Sequence, residues 1–147
     1  MKTLAINKRA RFDHEILETF EAGLSLSGQE VKSIKTGHIS LKGSFVTIHN
    51  GGLILTNAFV PPYPHAGMLV SYDPTRPRTL LLKRSELKRL IGTVHESGLT
   101  LVPLRVYTKR HLIKVEFALA KGKKEYDKRA SIQKREAKRK IDRAMRE

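Results

Sequence analysis

The chain has 147 residues, and its 29 lysines and arginines against 14 acidic residues leave a formal net charge of +15. This charge favours a polyanionic partner, with nucleic acid more probable than an anionic membrane. The length suits one domain with a modest core and a basic appendage. The absence of cysteine excludes disulfides, thiolate zinc sites and cysteine nucleophiles, and no apolar run in the sequence reaches membrane-spanning length.

The N-terminal third predicts a strand followed by a short helix. FDHE at residues 12–15 is the densest group of potential metal ligands. We interpret it as a solvated surface stretch, because adjacent residues on a strand point to opposite faces and cannot converge on one ion. A strand through Leu24 and Leu26 then leads into a helix that Gly28 opens and Gly37 closes.

The middle of the chain predicts a β-hairpin and a surface loop. Residues 38–60, HISLKGSFVTIHNGGLILTNAFV, alternate apolar and polar side chains on both sides of Asn50 and Gly51. This pair suits the positive φ angles of a tight hairpin turn. The prolines of residues 61–78, PPYPHAGMLVSYDPTRPR, make a long helix improbable and predict a loop over the surface.

A second helix and a second hairpin complete the folded region. The helix is predicted from Ser85 to Glu96, with Gly98 placed to end it, on the helical spacing of Leu87, Leu90, Ile91 and Val94. Apolar residues at 99–101 and 112–117 then flank a polar turn at residues 108–111. Pro103 predicts an edge position or a bulge, because proline cannot donate a ladder hydrogen bond.

These elements predict a mainly-β fold. Many short antiparallel strands with two or three short helices favour a closed barrel, which removes exposed strand edges, and an OB-type barrel over residues 1–120 is the natural interpretation. Residues 121–147 form a basic tail with a narrow apolar stripe at Ile132, Ala137, Ile141 and Met145. This stripe is too small to offset the ordering entropy, so we expect the tail to be disordered when free.

The sequence carries no catalytic or cofactor motif. AKGKK, at residues 120–124, lacks both the first glycine of a phosphate loop and the hydroxyl residue after the lysine. No zinc-binding pattern and no nucleophile elbow is present. We therefore expect no enzymatic activity, no metal and no cofactor.

Five segments in register resemble the small protein B family, the SsrA-binding proteins. They cover nearly the whole chain in order, and they read NKRAR at 7–11, FEAGLSLSGQEVKSIKTG at 20–37, DPTRPRTLLLKRSEL at 73–87, GLTLVPLRVY at 98–107 and ALAKGKKEYDKR at 118–129. The resemblance implies a cytoplasmic, non-catalytic protein with an OB-fold barrel. Its implied RNA ligand is the tRNA-like domain of transfer-messenger RNA, and its implied process is trans-translation.

The resemblance further implies how the protein acts on the ribosome. It would accompany the alanylated RNA, with elongation factor Tu and GTP, to a ribosome stalled without a codon. The protein would replace the missing anticodon arm in the decoding centre, against small-subunit ribosomal RNA. Its tail would become helical in the empty messenger channel, where charge neutralisation supplies the ordering free energy.

The same resemblance assigns residues to the RNA-binding surface of the barrel. Glu21 would accept hydrogen bonds from base amino groups or ribose hydroxyls, and Lys114 would meet phosphate. Leu81 would pack either on a base or in the core, and the sequence leaves both open. Further phosphate contacts would come from Lys8, Arg9, Arg11, Lys32 and Lys35.

The tail segment KGKKEYDKR matches the part of the family that engages the decoding centre. Phosphate contacts are expected from Lys121, Lys123, Lys124, Lys128 and Arg129. Asp127 would orient the two basic residues that follow it, and Tyr126 would stack on an exposed base.

A different class of function stays open from the sequence. A ribosomal or ribosome-assembly protein would use the same charge to dock its barrel permanently on ribosomal RNA and thread its tail between RNA helices. A membrane-surface role for the tail lacks large apolar anchors. Composition alone does not separate a rescue factor from a ribosomal protein.

Overall fold

The structure is a computed structural model that describes the backbone of residues 1–64, 72–123 and 125–146, without the side chains of 96, 97, 125–128, 130, 131 and 146. Within these residues it contains seven strands and four helices. The strands are β1 (Lys2–Ile6), β2 (His14–Leu24), β3 (Phe45–His49), β4 (Gly52–Thr56), β5 (Arg78–Leu81), β6 (Thr100–Lys109) and β7 (Leu112–Gly122). The helices are α1 (Ala10–Asp13), α2 (Gly28–Lys35), α3 (Arg84–Ser97) and α4 (Glu125–Arg146).

Six of the strands form a closed antiparallel ring. Their order is β6-β3-β4-β5-β2-β7, and the pairing of β6 with β7 closes the ring, while β1 pairs with the part of β6 that β3 leaves unpaired. The predicted mainly-β antiparallel barrel is therefore confirmed, and the OB-type assignment stays an interpretation. Phe20 and Phe117 meet inside the ring with centroids 5.6 Å apart, and burial of each such side chain contributes about 1.5–3 kcal/mol.

Both predicted hairpins are present. Strands β3 and β4 join through Asn50 and Gly51, whose φ angles of 49° and 74° are the predicted positive pair. Strands β6 and β7 join through the two residues Arg110 and His111, a shorter turn than predicted. Pro103 marks a register shift in the β6–β7 ladder, so the bulge alternative holds, and β6 has neighbours on both sides.

The two predicted helices of the barrel are also present. Ser27 caps α2, because its hydroxyl accepts from the Glu30 backbone N–H while the Glu30 carboxylate accepts from the Ser27 backbone N–H. Helix α3 ends before Gly98, which adopts the left-handed conformation with a φ of 62°. Residues 65–71 of the predicted surface loop lie outside the described residues.

Two N-terminal elements were not predicted, and α1 brings the short helices of the barrel to three, within the predicted two or three. Residues 2–6 form β1 on the side of β6, and residues 10–13 form α1. The strand geometry assumed for residues 12–15 was wrong, because Phe12 and Asp13 lie in α1 and β2 begins only at His14. Both elements are too short for a periodicity to mark them.

The C-terminal tail is the helix α4 in this structure. Strand β7 continues to Gly122, two residues past the predicted end of the barrel domain. The expectation that the free tail is disordered, and folds in the ribosome, stays a prediction. Among the described residues, no helix is both long enough and apolar enough to cross a membrane.

Candidate nucleic-acid interface

One end of the barrel carries an outward-facing row of residues on three adjacent strands. Gly23 on β2 pairs with Leu81 on β5 and with Lys114 on β7, so the three stand side by side across the sheet. Side chains alternate between faces along a strand, and Leu24 and Leu80 point into the core. Leu81 itself is 55% exposed. The structure thus answers the question that the sequence left open, and Leu81 lies on the surface.

The three residues of this row line an open cleft of about 470 Å³. Its buried lining residues include Leu24 and Ile113, and its exposed ones include Lys35, Leu81 and Leu112. The full lining consists of Gly23, Leu24, Leu26, Val31, Lys35, Leu81, His111, Leu112, Ile113 and Lys114. None of these described residues is acidic, so the cleft combines apolar surface with an electrostatic preference for an anion.

Glu21, on the same outer face of β2 as Gly23, is held by two side chains from β6. The Tyr107 hydroxyl donates a hydrogen bond to the Glu21 carboxylate, and Lys109 Nζ lies 3.5 Å from Glu21 Oε1. The hydrogen bond from Tyr107 and the charges of Lys109 and Lys114 lower the pKa of Glu21 and outweigh the opposing effect of burial. Glu21 is therefore ionised and oriented before any ligand arrives.

Sequence reasoning missed two members of this polar group, Tyr107 and Arg105. Tyr107 is buried, and its burial together with the hydrogen bond to Glu21 raises the pKa of its hydroxyl, which stays a donor. The Arg105 guanidinium lies 4.5 Å from the Tyr107 ring centroid and 3.4 Å from the Glu116 carboxylate. Alternation along β6 puts Arg105, Tyr107 and Lys109 on one face, but their partners follow only from the strand register.

The residues predicted to bind RNA from the barrel do not form one surface. Strands β2 and β7 pair along nearly their whole length, which separates their two ends by about 30 Å at a rise of about 3.3 Å per residue. The end with the cleft holds Lys35, Leu81 and Lys114. The opposite end, beside the start of β2, holds Lys8, Arg9 and Arg11.

Arg9 has partners within its own segment. Its guanidinium lies 3.0 Å from the Asp13 carboxylate and 4.6 Å from the centroid of the Phe12 ring. The Arg9 side chain nevertheless stays 69% exposed, and exposed ion pairs of this kind contribute little free energy. Arg9 is therefore accessible to a phosphate, as are the exposed side chains of Lys8 and Arg11.

Lys32 lies on α2 but outside the lining of the cleft. Its side chain is exposed, and its ammonium group lies 5.9 Å from the centroid of the Tyr63 ring. Of the two α2 lysines that the sequence suggested, the cleft includes Lys35 alone.

The root of the tail is attached to α1. The backbone N–H of Lys123 donates to the Asp13 carbonyl at 2.9 Å, and further along α4 the Arg135 guanidinium lies 5.6 Å from the Phe12 ring centroid. Lys121 and Arg129 are exposed. Lys124 lies outside the described residues, as do the side chains of Tyr126, Asp127 and Lys128, so their predicted contacts stay predictions.

A buried ion-pair network fixes α2, and with it the α2 side of the cleft. The Glu30 carboxylate accepts from Arg76 Nη2 and from Arg78 Nε, each at 2.5 Å. Arg78 also donates to the carbonyls of Ala58 and Pro74. Burial alone would raise the pKa of Glu30, but the hydrogen bonds from Arg76, the Ser27 backbone and Arg78 outweigh it and lower that pKa to about 2.

Comparison with known proteins gives one consistent result. The family model described as SmpB protein matches residues 4–147. The chain is 54% identical over 145 residues to an SsrA-binding protein of Desulforudis audaxviator, covering 99% of this chain and 94% of the relative. It is 50% identical over 147 residues to an SsrA-binding protein of Pelotomaculum thermopropionicum, covering 100% and 95%.

A solved structure is also similar. It is described as tmRNA-SmpB on a journey to the centre of the bacterial ribosome, and one of its chains is 49% identical in sequence with a TM-score of 0.64. The similarity covers 82% of this chain and 84% of that one.

Proposed function

The chain belongs to the SmpB protein family, whose members are RNA-binding proteins rather than enzymes, and from that premise we propose that it binds the tRNA-like domain of transfer-messenger RNA. The relatives are named for binding SsrA RNA, and the similar solved structure is described by its tmRNA. The cleft-bearing end of the barrel, with Glu21, Lys35, Leu81 and Lys114, is the surface that would meet this RNA.

The observation that carries the proposal is the position of Leu81. A leucine that is 55% exposed lies across Gly23 from Lys114 in a cleft with no acidic lining residue among those described. Exposed apolar surface next to cations suits an RNA whose unpaired bases are splayed away from the helix. The cations meet phosphate while the apolar surface covers a base.

The second step of the proposed function is delivery to a stalled ribosome in the cytoplasm. The protein travels with the alanylated RNA, elongation factor Tu and GTP, and the tail end of the barrel enters the decoding centre in place of an anticodon arm. Helix α4 then lies in the empty messenger channel, with its basic residues against ribosomal RNA phosphate. The separation of about 30 Å between the cleft and the root of the tail supports this division, because one RNA at each end avoids a steric conflict.

Sequencing of the RNA that co-purifies with the full chain tests the first step. The expected result is enrichment of transfer-messenger RNA, reduced by Lys114→Ala and unchanged by Lys88→Ala, which removes the same charge from the exposed side of α3. Ribosomal RNA without transfer-messenger RNA would overturn the proposal in favour of a ribosomal protein. Such a protein would also stay on nearly every ribosome after a high-salt wash, whereas a rescue factor stays only on stalled ones.

A further inference from the structure

Helix α4 is docked on the rest of the protein along its first half. Helices α1 and α4 lie side by side, and the Arg135 guanidinium lies 5.6 Å from the centroid of the Phe12 ring. Ile132, three residues earlier and so on the same side of the helix, is the one half-buried side chain among those described in α4. The side chains of residues 136–145 are exposed. We call residues 125–135 the near half of α4.

Helix α1 is a firmly held base for this contact. Ala10 is 2% exposed and belongs to a small second cluster on β6 and β7. The other buried members of that cluster are Val102, Leu104, Ala118 and Ala120. Just ahead of α1, the backbone N–H of Asn7 donates to the Leu104 carbonyl at 2.8 Å, and the Asn7 side chain donates to the Pro103 carbonyl at 2.9 Å. These buried contacts fix the position of α1 on the sheet.

The contact between α1 and α4 is weaker than the attachment of α1 to the barrel. The Phe12 ring is half-buried, and it is shared by two guanidinium groups, since Arg9 lies 4.6 Å from the ring centroid and Arg135 lies 5.6 Å from it. Guanidinium groups are attracted to the face of an aromatic ring, but at an exposed site the attraction is small. A fixed base with a weak contact to the helix that it carries suits a joint that opens.

We propose that Arg9, Phe12 and Arg135 form a releasable latch, which holds the near half of α4 on α1 while the protein is free of the ribosome. The latch opens when phosphate groups of ribosomal RNA bind Arg9 and Arg135. The latch itself follows from contacts within the chain, whereas its release by ribosomal RNA rests on the proposed function. The disorder expected of the free tail is then confined to residues 136–145.

Phosphate is a stronger partner for either guanidinium than the Phe12 ring. Arginine binds phosphate through two parallel charge-assisted hydrogen bonds. Arg9 would exchange its ion pair with Asp13, which is exposed on the arginine side and contributes little free energy. Because RNA presents a row of phosphates, it can bind both guanidinium groups at once and release counterions. The tail is thus freed where phosphate is dense beside α1, and it stays docked in bulk solution.

Paramagnetic broadening of amide resonances tests the docking of α4. The chain has no cysteine, so Lys138→Cys provides a single site for a nitroxide label. Residue 138 lies on the side of α4 that carries Arg135, one turn further along. In the otherwise wild-type chain the label should broaden the amides of residues 10–13. Arg135→Gln and Phe12→Leu should each reduce this broadening severalfold, because each removes one partner of the contact between guanidinium and ring.

Two control variants separate the latch from charge and from packing. Arg139→Gln removes the same charge from an exposed position one turn beyond the latch, and it should leave the broadening unchanged. Phe12→Tyr keeps the aromatic face and should keep the broadening as well. Arg135 lies on the tail, so Arg135→Gln leaves the barrel folded and decides the question if Phe12→Leu impairs folding.

Titration of the labelled protein with inorganic polyphosphate tests the release. Polyphosphate should abolish the broadening of residues 10–13 at low salt and should do so less effectively at high salt, because salt weakens phosphate binding. One equivalent of the isolated tRNA-like domain should leave the broadening in place, because the proposed function assigns that RNA to the cleft at the opposite end of the barrel.

Three results would overturn the proposal. Unbroadened α1 amides in the labelled wild type would show that α4 is not docked. Full broadening in Arg135→Gln and in folded Phe12→Leu would show that the ring does not hold the helix. Broadening that survives saturating polyphosphate would show that phosphate does not open the latch. Failure of the tRNA-like domain to bind the protein at all would overturn the proposed function instead and leave the latch standing.

Discussion

Glu30 and Arg78 form an ion pair inside the protein, with each side chain 1% exposed and Glu30 Oε2 2.5 Å from Arg78 Nε. The pair ties the first turn of α2 to the start of β5, 48 residues apart in the chain. Arg78 also donates to two backbone carbonyls, so each of its three side-chain nitrogens has a hydrogen-bond partner. A pair so fully hydrogen-bonded offsets the cost of removing its charges from water, and the loss of one partner leaves the other charge buried alone.

We expect this pair to make the protein sensitive to acid. The folded-state pKa of Glu30, about 2, lies below its ordinary value of 4.5. Its stabilisation is therefore fully present above pH 4.5 and is lost as the pH falls towards 2, by about 3 kcal/mol in total. Denaturant unfolding at a series of pH values measures this loss.

Glu30→Gln provides the check on that assignment. The variant should be less stable by roughly 3 to 5 kcal/mol at pH 7, because Arg78 keeps its charge without a counter-charge, and the pH dependence below 4.5 should shrink. Glu15→Gln, which removes an exposed carboxylate, should change neither. An unaltered acid dependence in Glu30→Gln would assign the effect to other carboxylates.

Tyr107→Phe should raise the pKa of Glu21. The hydrogen bond from Tyr107 is the largest cause of the lowered pKa, and the Lys109 charge contributes less. A carboxyl titration followed by NMR should therefore move upward in Tyr107→Phe, towards 4.5, and less so in Lys109→Ala. The reverse order of the two shifts would mean that charge, rather than the hydrogen bond, holds Glu21 ionised.

Lys114→Ala and Glu21→Gln should weaken binding to the tRNA-like domain in different ways. If Lys114 contacts one phosphate, its removal lowers the slope of log affinity against log salt by about one. Glu21→Gln should lower affinity with little change in that slope, because no counterion is released at a carboxylate. Binding isotherms measured at several salt concentrations separate the effects of the two substitutions, with Lys88→Ala as the matched control. Equal slopes in wild type and Lys114→Ala would remove Lys114 from the phosphate contacts.

Ala137→Pro should abolish the transfer of alanine from the RNA to the stalled peptide, the first step of its tagging, while RNA binding remains normal. Proline in the interior of α4 removes a backbone donor and clashes with the preceding turn, which costs about 3 kcal/mol in a helix. Tagging in a reconstituted translation system measures the effect, and a scramble of residues 130–147 that keeps their charge is the companion variant. If Ala137→Pro supports tagging at the wild-type rate, the tail acts through its positive charge and does not need to be helical.

The sequence predicted those elements whose signals are local. Asn50 and Gly51 define their hairpin by their own φ preferences, and Gly98 ends α3 for the same reason. Strand β1 and helix α1 were not predicted, because neither is long enough to show a periodic pattern of apolar residues. Strand β1 also depends on its pairing with β6.

The candidate site was predictable in its residues but not in its arrangement. Family motifs supplied Leu81 and Lys114, but only the register shows that Gly23 lies between them. The same limit applies to Tyr107, which reaches Glu21 across β7. It also applies to the N-terminal basic residues. The sequence around Arg9 does not indicate that β2 begins at the end of the barrel opposite the cleft.

The pairing of β1 with β6 also determines where a probe can be attached. Lys2 lies opposite Thr108, so a peptide fused ahead of Met1 would emerge beside the turn that borders the cleft. A peptide fused after α4 would extend the segment assigned to the messenger channel. Affinity handles at the two ends would thus obstruct one surface each. Because the chain has no cysteine, a single Lys88→Cys substitution on the exposed side of α3 offers a unique thiol for a fluorophore or an immobilising linker, and leaves both surfaces free.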